Sequence, residues 1–237
     1  MCNLYSITTN QAAINALFRV VNRYVGNLAP MPGDFPDYKA PIVRNGVEGR
    51  ELATARWGMP SSSKALMDAT KKRAEKLQAK GKAVDFKELL RMEPDGGTTN
   101  IRNVKSPHWR SVLGVAHRCI VPFTAFSEYE DASPKGKKQI RWFAPADRGV
   151  AYFAGLYKSW YGDYGSKKEP NEGDHVLFSF LTTDANDLVR PVHAKAMPVV
   201  LNNQAACEEW LKAPTEEIEA MQARVLPTDA LEIVGDE

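Results

Sequence analysis

The second half of this chain is a succession of short apolar runs rich in β-branched and aromatic residues: RCIVPFTAFSEY, QIRWFAP, VAYFAGLY, HVLFSFLTT and MPVVL. Runs of this composition, bounded by Gly, Pro, Asn and Asp, read as β-strands. The loops between them are short, and short connections join antiparallel neighbours, whereas parallel neighbours need long crossovers. One connection is longer, the polar GDYGSKKEPNEGD, which is expected to be an exposed loop. A largely antiparallel sheet is therefore the frame into which the rest of the chain must fit.

The first half adds fewer strands and more helix. NLYSITT reads as a strand, and Thr9 or Asn10 can cap a following helix whose apolar positions Ala13, Ile14, Leu17, Phe18 and Val21 recur at helical spacing. LAPMPGDFPDYKAP reads as loop, and strands follow around PIVR and ELATARWGM, the latter ended by Pro60. Residues 61–92 read as two helices broken near Gly81, the first strongly basic, and EPDGG closes that segment. SPHWRSVL starts like a helix with Ser106 as cap and Pro107 in its first turn. Two helices near 203–212 and 215–223 precede a last strand at LEIV. The pattern predicts an α+β fold in one domain, 1–237, with a helical insertion at about 61–97.

Composition narrows the function. The 237 residues are 43% hydrophobic and 25% charged, ordinary for a soluble protein with a real core. No apolar run approaches the ~18 residues of a membrane span, and the N-terminus lacks a secretory pattern, so a cytoplasmic protein is expected. Cys2, Cys119 and Cys207 are too few for a disulfide framework, and His108, His117, His175 and His193 show no zinc spacing. His117 and Cys119 come nearest, one residue apart, and no metal or cofactor is expected. A net charge of +2 leans only slightly towards an anionic partner.

Cys2 has a property that no internal cysteine has. Removal of Met1 gives it a free α-amine, with an ordinary pKa of about 7.7–8.0, beside its thiol. Such an amine can form an imine with an aldehyde, and the thiol can close onto the imine carbon to give a thiazolidine. The other reading of Cys2 is the first buried residue of a strand.

Several later stretches bear on that choice: TTNIRN with Asn100 and Arg102, RCIVPFTAFSEYE with Glu128, and LTTDANDLVRPVHAKAMPVVL with His193. Together with Cys2 and Trp57-Gly58-Met59-Pro60, in this order, they resemble the motifs of the SOS-response-associated peptidase (SRAP) family, whose members crosslink to abasic sites in single-stranded DNA. The resemblance implies a curved, barrel-like sheet with peripheral helices. It implies Cys2 as the nucleophile, Asn100 beside it to orient the amine or the sugar, and Glu128 as general acid and base for Met1 removal and sugar chemistry. It implies His193 as proton donor in sugar ring opening or as a phosphate ligand, and Arg102, Thr182 and Lys195 as grips on the DNA backbone. The implied partner is single-stranded DNA carrying an abasic site, met in the cytoplasm and at the nucleoid, with crosslinking, AP-lyase and self-processing peptidase activities. Leu4 stands where the family usually has arginine and Val104 where it often has glutamate. Lys195 replaces an arginine in a segment one residue longer than usual, and lysine lacks the bidentate fork.

The same residues also admit plain readings. Glu128 can be an outward-facing or salt-bridged strand residue, His193 a surface histidine, and Asn100 a turn residue after Gly97. Trp57 and Trp109 are candidates for stacking on an unpaired base or for core packing, Arg118 reads as structural, and Cys119 as an inert buried thiol. The basic insertion is either a phosphate contact or a solvated face. Two rival functions stay open: an N-terminal-nucleophile hydrolase in which Cys2 attacks amides, and a single-strand-binding module that uses basic and stacking residues alone.

Overall fold

The computed structural model describes residues 2, 4–8, 21–22, 31–34, 36–134, 137–163 and 171–235. Its strands are β1 Leu4–Ile7, β2 Val21–Asn22, β3 Met31–Asp34, β4 Lys39–Gly46, β5 Gly49–Trp57, β6 Asn100–Ile101, β7 Arg118–Phe123, β8 Ala125–Tyr129, β9 Ile140–Pro145, β10 Ala151–Asp163, β11 Glu172–Thr183, β12 Met197–Pro198, β13 Val200–Leu201 and β14 Leu231–Val234. The α-helices are α1 Ser63–Gln78, α2 Phe86–Arg91, α3 Gln204–Lys212 and α4 Ile218–Gln222. Most of the helix expected after Thr9 or Asn10 lies outside the described residues, whereas Val21, expected on it, pairs with β5 as a strand residue.

The larger sheet closes on itself. β11 pairs antiparallel with β10, β10 with β7, β7 with β4, and β4 with β5. Direction reverses at each of these pairings, so β5 and β11 end up pointing the same way. The closing pair must then be parallel, and it is, with Leu177 opposite Arg56 and Phe178 opposite Trp57. Antiparallel pairing alone cannot close a ring of five strands.

Strand alternation separates two cores. Along β10, Ala151 and Phe153 point into the barrel while Tyr152, Ala154 and Leu156 point out; along β11, Phe178 and Phe180 point in while Leu177 and Leu181 point out. The interior is an aromatic stack, with Phe153 face to face with Phe123 at 4.0 Å between ring centroids and 4.5 Å from Phe180. Gly155 follows on the inward side because a Cβ there would lie 2.7 Å from the Cys119 sulfur. The outward residues are covered by α3, by α4 and by the segment 107–112, through Cys207, Trp210, Leu211, Ile218, Met221 and Trp109. Arg118, fully buried, lies over the Trp210 ring and donates to the carbonyls of Leu113 and Trp210, which is the structural role expected for it.

The second sheet runs β14-β9-β8-β1-β3. β3 corrects the expectation of loop throughout LAPMPGDFPDYKAP: Met31–Asp34 pairs with β1, and Pro32 is tolerated because β3 is the edge of that sheet. RCIVPFTAFSEY, read as one run, divides at Thr124 into strands of different sheets. The Thr124 hydroxyl takes the Thr8 amide at that corner, and its own amide donates to the Ser6 carbonyl. SPHWRSVL forms a 3₁₀ helix over Pro107–Val112 without a Ser106 side-chain cap. Three residues per turn bring Trp109 and Val112 to the same buried side. The second of the late helices is likewise part 3₁₀, over Thr215–Glu217, before α4.

The insertion interrupts one strand position. β5 leaves the edge of β11 at Trp57, and β6 returns to that edge with Asn100 opposite Phe180 and Ile101 opposite Leu181. The excursion is pinned at its root by the Met59–Thr98 bridge and contains α1, capped by Ser62, and α2, capped by Asp85. Thr70 and Ala74 are the buried residues of α1, whose other positions lie towards solvent.

Replacing Phe153 with Ala removes the centre of the barrel stack. The substitution is expected to cost about 3–5 kcal/mol of stability, read as a lowered urea midpoint at unchanged slope.

Candidate functional site

Cys2 enters the end of the barrel just before β1. It is fully buried and belongs to the inner core with Tyr5 and Phe180, and its thiol donates to the Leu4 carbonyl at 3.5 Å. β1 runs beside β8 with Leu4 opposite Ser127, and Glu128, the next β8 residue, lies near enough for its charge to act on the Cys2 thiol. Burial raises the thiol pKa well above its ordinary range, and the nearby Glu128 charge raises it further.

Asn100 approaches from the barrel wall. Its side-chain amide donates to the Cys2 carbonyl at 2.9 Å and to the Thr99 hydroxyl at 2.8 Å, while its own side-chain oxygen is buried with no hydrogen-bond partner among the described residues. The strand that carries it is held tightly. The Trp57 indole donates to the Thr99 carbonyl at 3.1 Å, the Ser179 hydroxyl donates to the Thr98 carbonyl, and Ser179 also takes the Met59 amide at 3.3 Å. Gly58, at φ 130°, makes the bend through which β5 leaves this lane, a backbone state that favours glycine.

Glu128 is only 2% exposed, although it was open to reading as an outward-facing residue. Burial lifts its carboxyl to about 7, against the pull of the chain's terminal amine. His193 is also buried, and burial followed by the charge of that same amine lowers its pKa, so the imidazole is neutral at pH 7. The turn that carries it is set by Asn186, whose side chain accepts from the Val189 amide at 3.0 Å and donates to the Leu226 carbonyl at 3.2 Å. His193 Nδ1 lies 3.1 Å from Asp131 on the turn after β8.

The expected DNA contacts divide. Arg102, Thr182 and Asp184 line one cavity of about 260 Å³, together with Lys105, Glu219 and Gln222. Arg102 is ion-paired with Asp184, and Thr182 is fully buried with a hydroxyl that has no partner among the described residues. Lys195 is exposed, and its charge is felt at both Asp131 and His193. Trp57 is a correction: at 1% exposure, stacked on Phe180 at 5.2 Å and edge-on to Tyr5 at 5.1 Å, it has no face to offer a base. Trp109 is core as well, at 8% exposure. Cys119 is fully buried, and its pKa is raised by burial.

Two contributors escaped sequence reasoning. Gln222 Nε2 sits 2.9–3.1 Å from the carbonyls of Ile101, Arg102 and Thr182, tying α4 to the two strands that bear the cavity. Asp131 carried only one signal, its place three residues after Glu128. Among the described residues, no three His, Cys, Asp or Glu side chains group as a metal site would, and no helix is long and apolar enough to cross a membrane.

The Glu128 carboxyl couples folding to pH. Between its ordinary 4.5 and its folded value of about 7, the folded chain holds a proton that the unfolded chain releases. Its contribution to stability is therefore full below pH 4.5, falls as pH rises through that window, and levels off above 7. Glu128→Gln removes this dependence. The stability of the variant relative to wild type is expected to rise by about 3 kcal/mol from pH 4 to pH 8, measured by urea unfolding at both.

A sequence model of the SOS response associated peptidase (SRAP) family matches residues 97–234. Over 126 residues the chain is 30% identical to the abasic site processing protein YoqW of Bacillus subtilis (strain 168), covering 53% of this chain and 51% of the relative. YobE, another abasic site processing protein of that organism, is 30% identical over 128 residues, covering 53% and 52%. The chain thus spans about half the length of these curated relatives. A crystal structure of a Bordetella bronchiseptica protein superposes with a TM-score of 0.67 at 24% identity, covering 98% of both chains. One from Bacteroides thetaiotaomicron gives 0.66 at 19%, covering 98% of this chain and 90% of the other, and both likenesses bear on the fold. With the family match extending over more than half of its residues, this chain belongs to the SOS response associated peptidase (SRAP) family.

Proposed function

We propose that this chain processes abasic sites in single-stranded DNA by a covalent link through Cys2, made after hydrolysis releases Met1. One observation carries the reading: residues far apart in sequence converge on the N-terminus. Asn100 grips the Cys2 carbonyl, the Glu128 charge acts on Cys2, and Asp131, which faces His193, is felt at Glu128. The names of the curated relatives support the substrate class.

The chemistry runs in balanced steps. His193, neutral at pH 7, suits acceptance of the proton of the sugar's anomeric hydroxyl better than the donor role that the resemblance implies, and the ring oxygen takes a proton from the Glu128 acid as the ring opens. The freed aldehyde is attacked by the Cys2 amine, a proton moves from nitrogen to oxygen, and water leaves to give the imine. The thiol then adds to the imine carbon. Its proton goes to the nitrogen that receives the C=N electron pair, so aldehyde and aminothiol yield a thiazolidine and one water. A buried thiol with a raised pKa is mostly protonated and needs a base as it attacks. Glu128, with a pKa of about 7, is present near neutral pH as both acid and carboxylate, so it can donate and accept in turn. If the thiol does not close, the imine leads to β-elimination, the lyase outcome. The DNA backbone would lie over Arg102, Lys195 and the cavity by Thr182, with a phosphate replacing Asp184 as the partner of Arg102. Such a protein would work in the cytoplasm, at the nucleoid when bound to DNA.

Wild type incubated with single-stranded abasic DNA is expected to give a heat-stable band on a denaturing gel. Cys2→Ala should abolish it. Cys2→Ser, which keeps the amine, should give an adduct only when borohydride reduces the imine. An amide substrate turned over without any adduct would favour the hydrolase instead, and salt-sensitive binding indifferent to Cys2→Ser would favour the non-covalent module. Glu128→Gln is expected to slow the adduct or retain Met1, which intact mass resolves; wild-type behaviour in both respects would make Glu128 structural.

A further inference from the structure

Three hydrogen bonds join the turn after β8 to the segment bearing His193. The Asp131 amide donates to the Val192 carbonyl at 2.9 Å, and one Asp131 carboxylate oxygen accepts from the Ala194 amide at 3.2 Å. The other carboxylate oxygen lies 3.1 Å from His193 Nδ1. The side chains sit at different depths, with Asp131 48% exposed and His193 10%. The carboxylate therefore stands at the solvent side of the imidazole.

We infer that Asp131 is a positioning residue, whose carboxylate holds His193 in the Nδ1–H tautomer and leaves Nε2 as the proton acceptor on the side away from solvent. A carboxylate can only accept hydrogen bonds, so a neutral imidazole facing it must place its single proton on Nδ1. The Ala194 contact fixes the backbone next to the ring, so both the tautomer and the ring angle depend on one side chain. The clamp joins the strand that bears Glu128 to the loop that bears His193, and so keeps the two proton carriers in register. This inference rests on the proposed role of His193 in opening an abasic sugar, and it gives that role a direction: removal of a proton at Nε2.

The test uses the full chain as wild type, Asp131→Asn, His193→Gln and the double variant, with rates of adduct formation on single-stranded abasic DNA at pH 7. An asparagine can turn its amide nitrogen towards Nδ1 and so favour the other tautomer. Asp131→Asn is therefore expected to slow wild type by about ten- to a hundredfold and to cause no further loss in the His193→Gln background. Equal losses in both backgrounds would mean that Asp131 acts independently of His193, and would overturn the inference. The ¹⁵N spectrum of the imidazole provides a readout without DNA: a protonated Nδ1 in wild type that changes towards protonated Nε2 in Asp131→Asn. An unchanged tautomer overturns the inference too. A wild type that forms no adduct removes the parent reading along with this one, whereas a wild-type adduct formed as fast by Asp131→Asn removes this one alone.

Discussion

The parallel pairing of β5 and β6 along one edge of β11 is the constraint on which the rest of the molecule depends. Five strands joined by four antiparallel pairings leave no other way to close the ring, and an open ring would expose its aromatic interior to water. The same edge builds the site. Past Trp57 the chain departs for its helical excursion and returns in the same lane with Asn100, whose amide reaches the Cys2 carbonyl. β11 itself runs on to Thr182 and then to the turn of Asn186 and His193. The closing lane thus serves both the barrel and Asn100, so substitutions that weaken it act on both.

At the site the fold accepts local costs that it avoids elsewhere. A buried carboxyl, a buried thiol, and oxygens on Asn100 and Thr182 without hydrogen-bond partners among the described residues are each unfavourable where water is excluded. Burial also shifts the titratable groups, bringing Glu128 to about 7 and lowering His193 so that it is neutral at pH 7. Solvent exposure of the same side chains would return them to ordinary values and remove the match to neutral pH. Such concentrated breaches of packing rules are characteristic of functional positions.

The sequence made the strands of the second half legible because their signal is local: alternation, β-branching and turn residues at the ends. The lane shared by β5 and β6 was not legible, since nothing in residues 58–99 records that the chain returns to the place it left. β3 was hidden because Met31-Pro-Gly-Asp violates strand propensity and survives only as an edge. The Thr124 corner was hidden because a change of sheet leaves the apolar run unbroken. For the candidate site, order along the chain points to Cys2, Asn100, Glu128 and His193. The role of Trp57 is ambiguous in sequence because an indole that props the Thr99 carbonyl and one that stacks on a base look identical there. Asp131 and Gln222 act through tertiary contacts that no spacing encodes.

The departures from the family pattern also acquire physical meaning. Leu4 sits in β1 opposite Ser127, and its carbonyl accepts from both Cys2 and Ser127, so its main-chain role survives any side chain. Val104 lies in the outer core, at 4% exposure, where a carboxylate would be unpaired and costly. Arg102 is already paired at the surface, where an ion pair is worth only about 0–1 kcal/mol, and on the proposed reading it is readily traded for a phosphate. On the proposed chemistry, a weak grip suffices. A covalent bond replaces slow dissociation as the source of residence time, so the site needs geometry around one aldehyde more than it needs affinity for the strand.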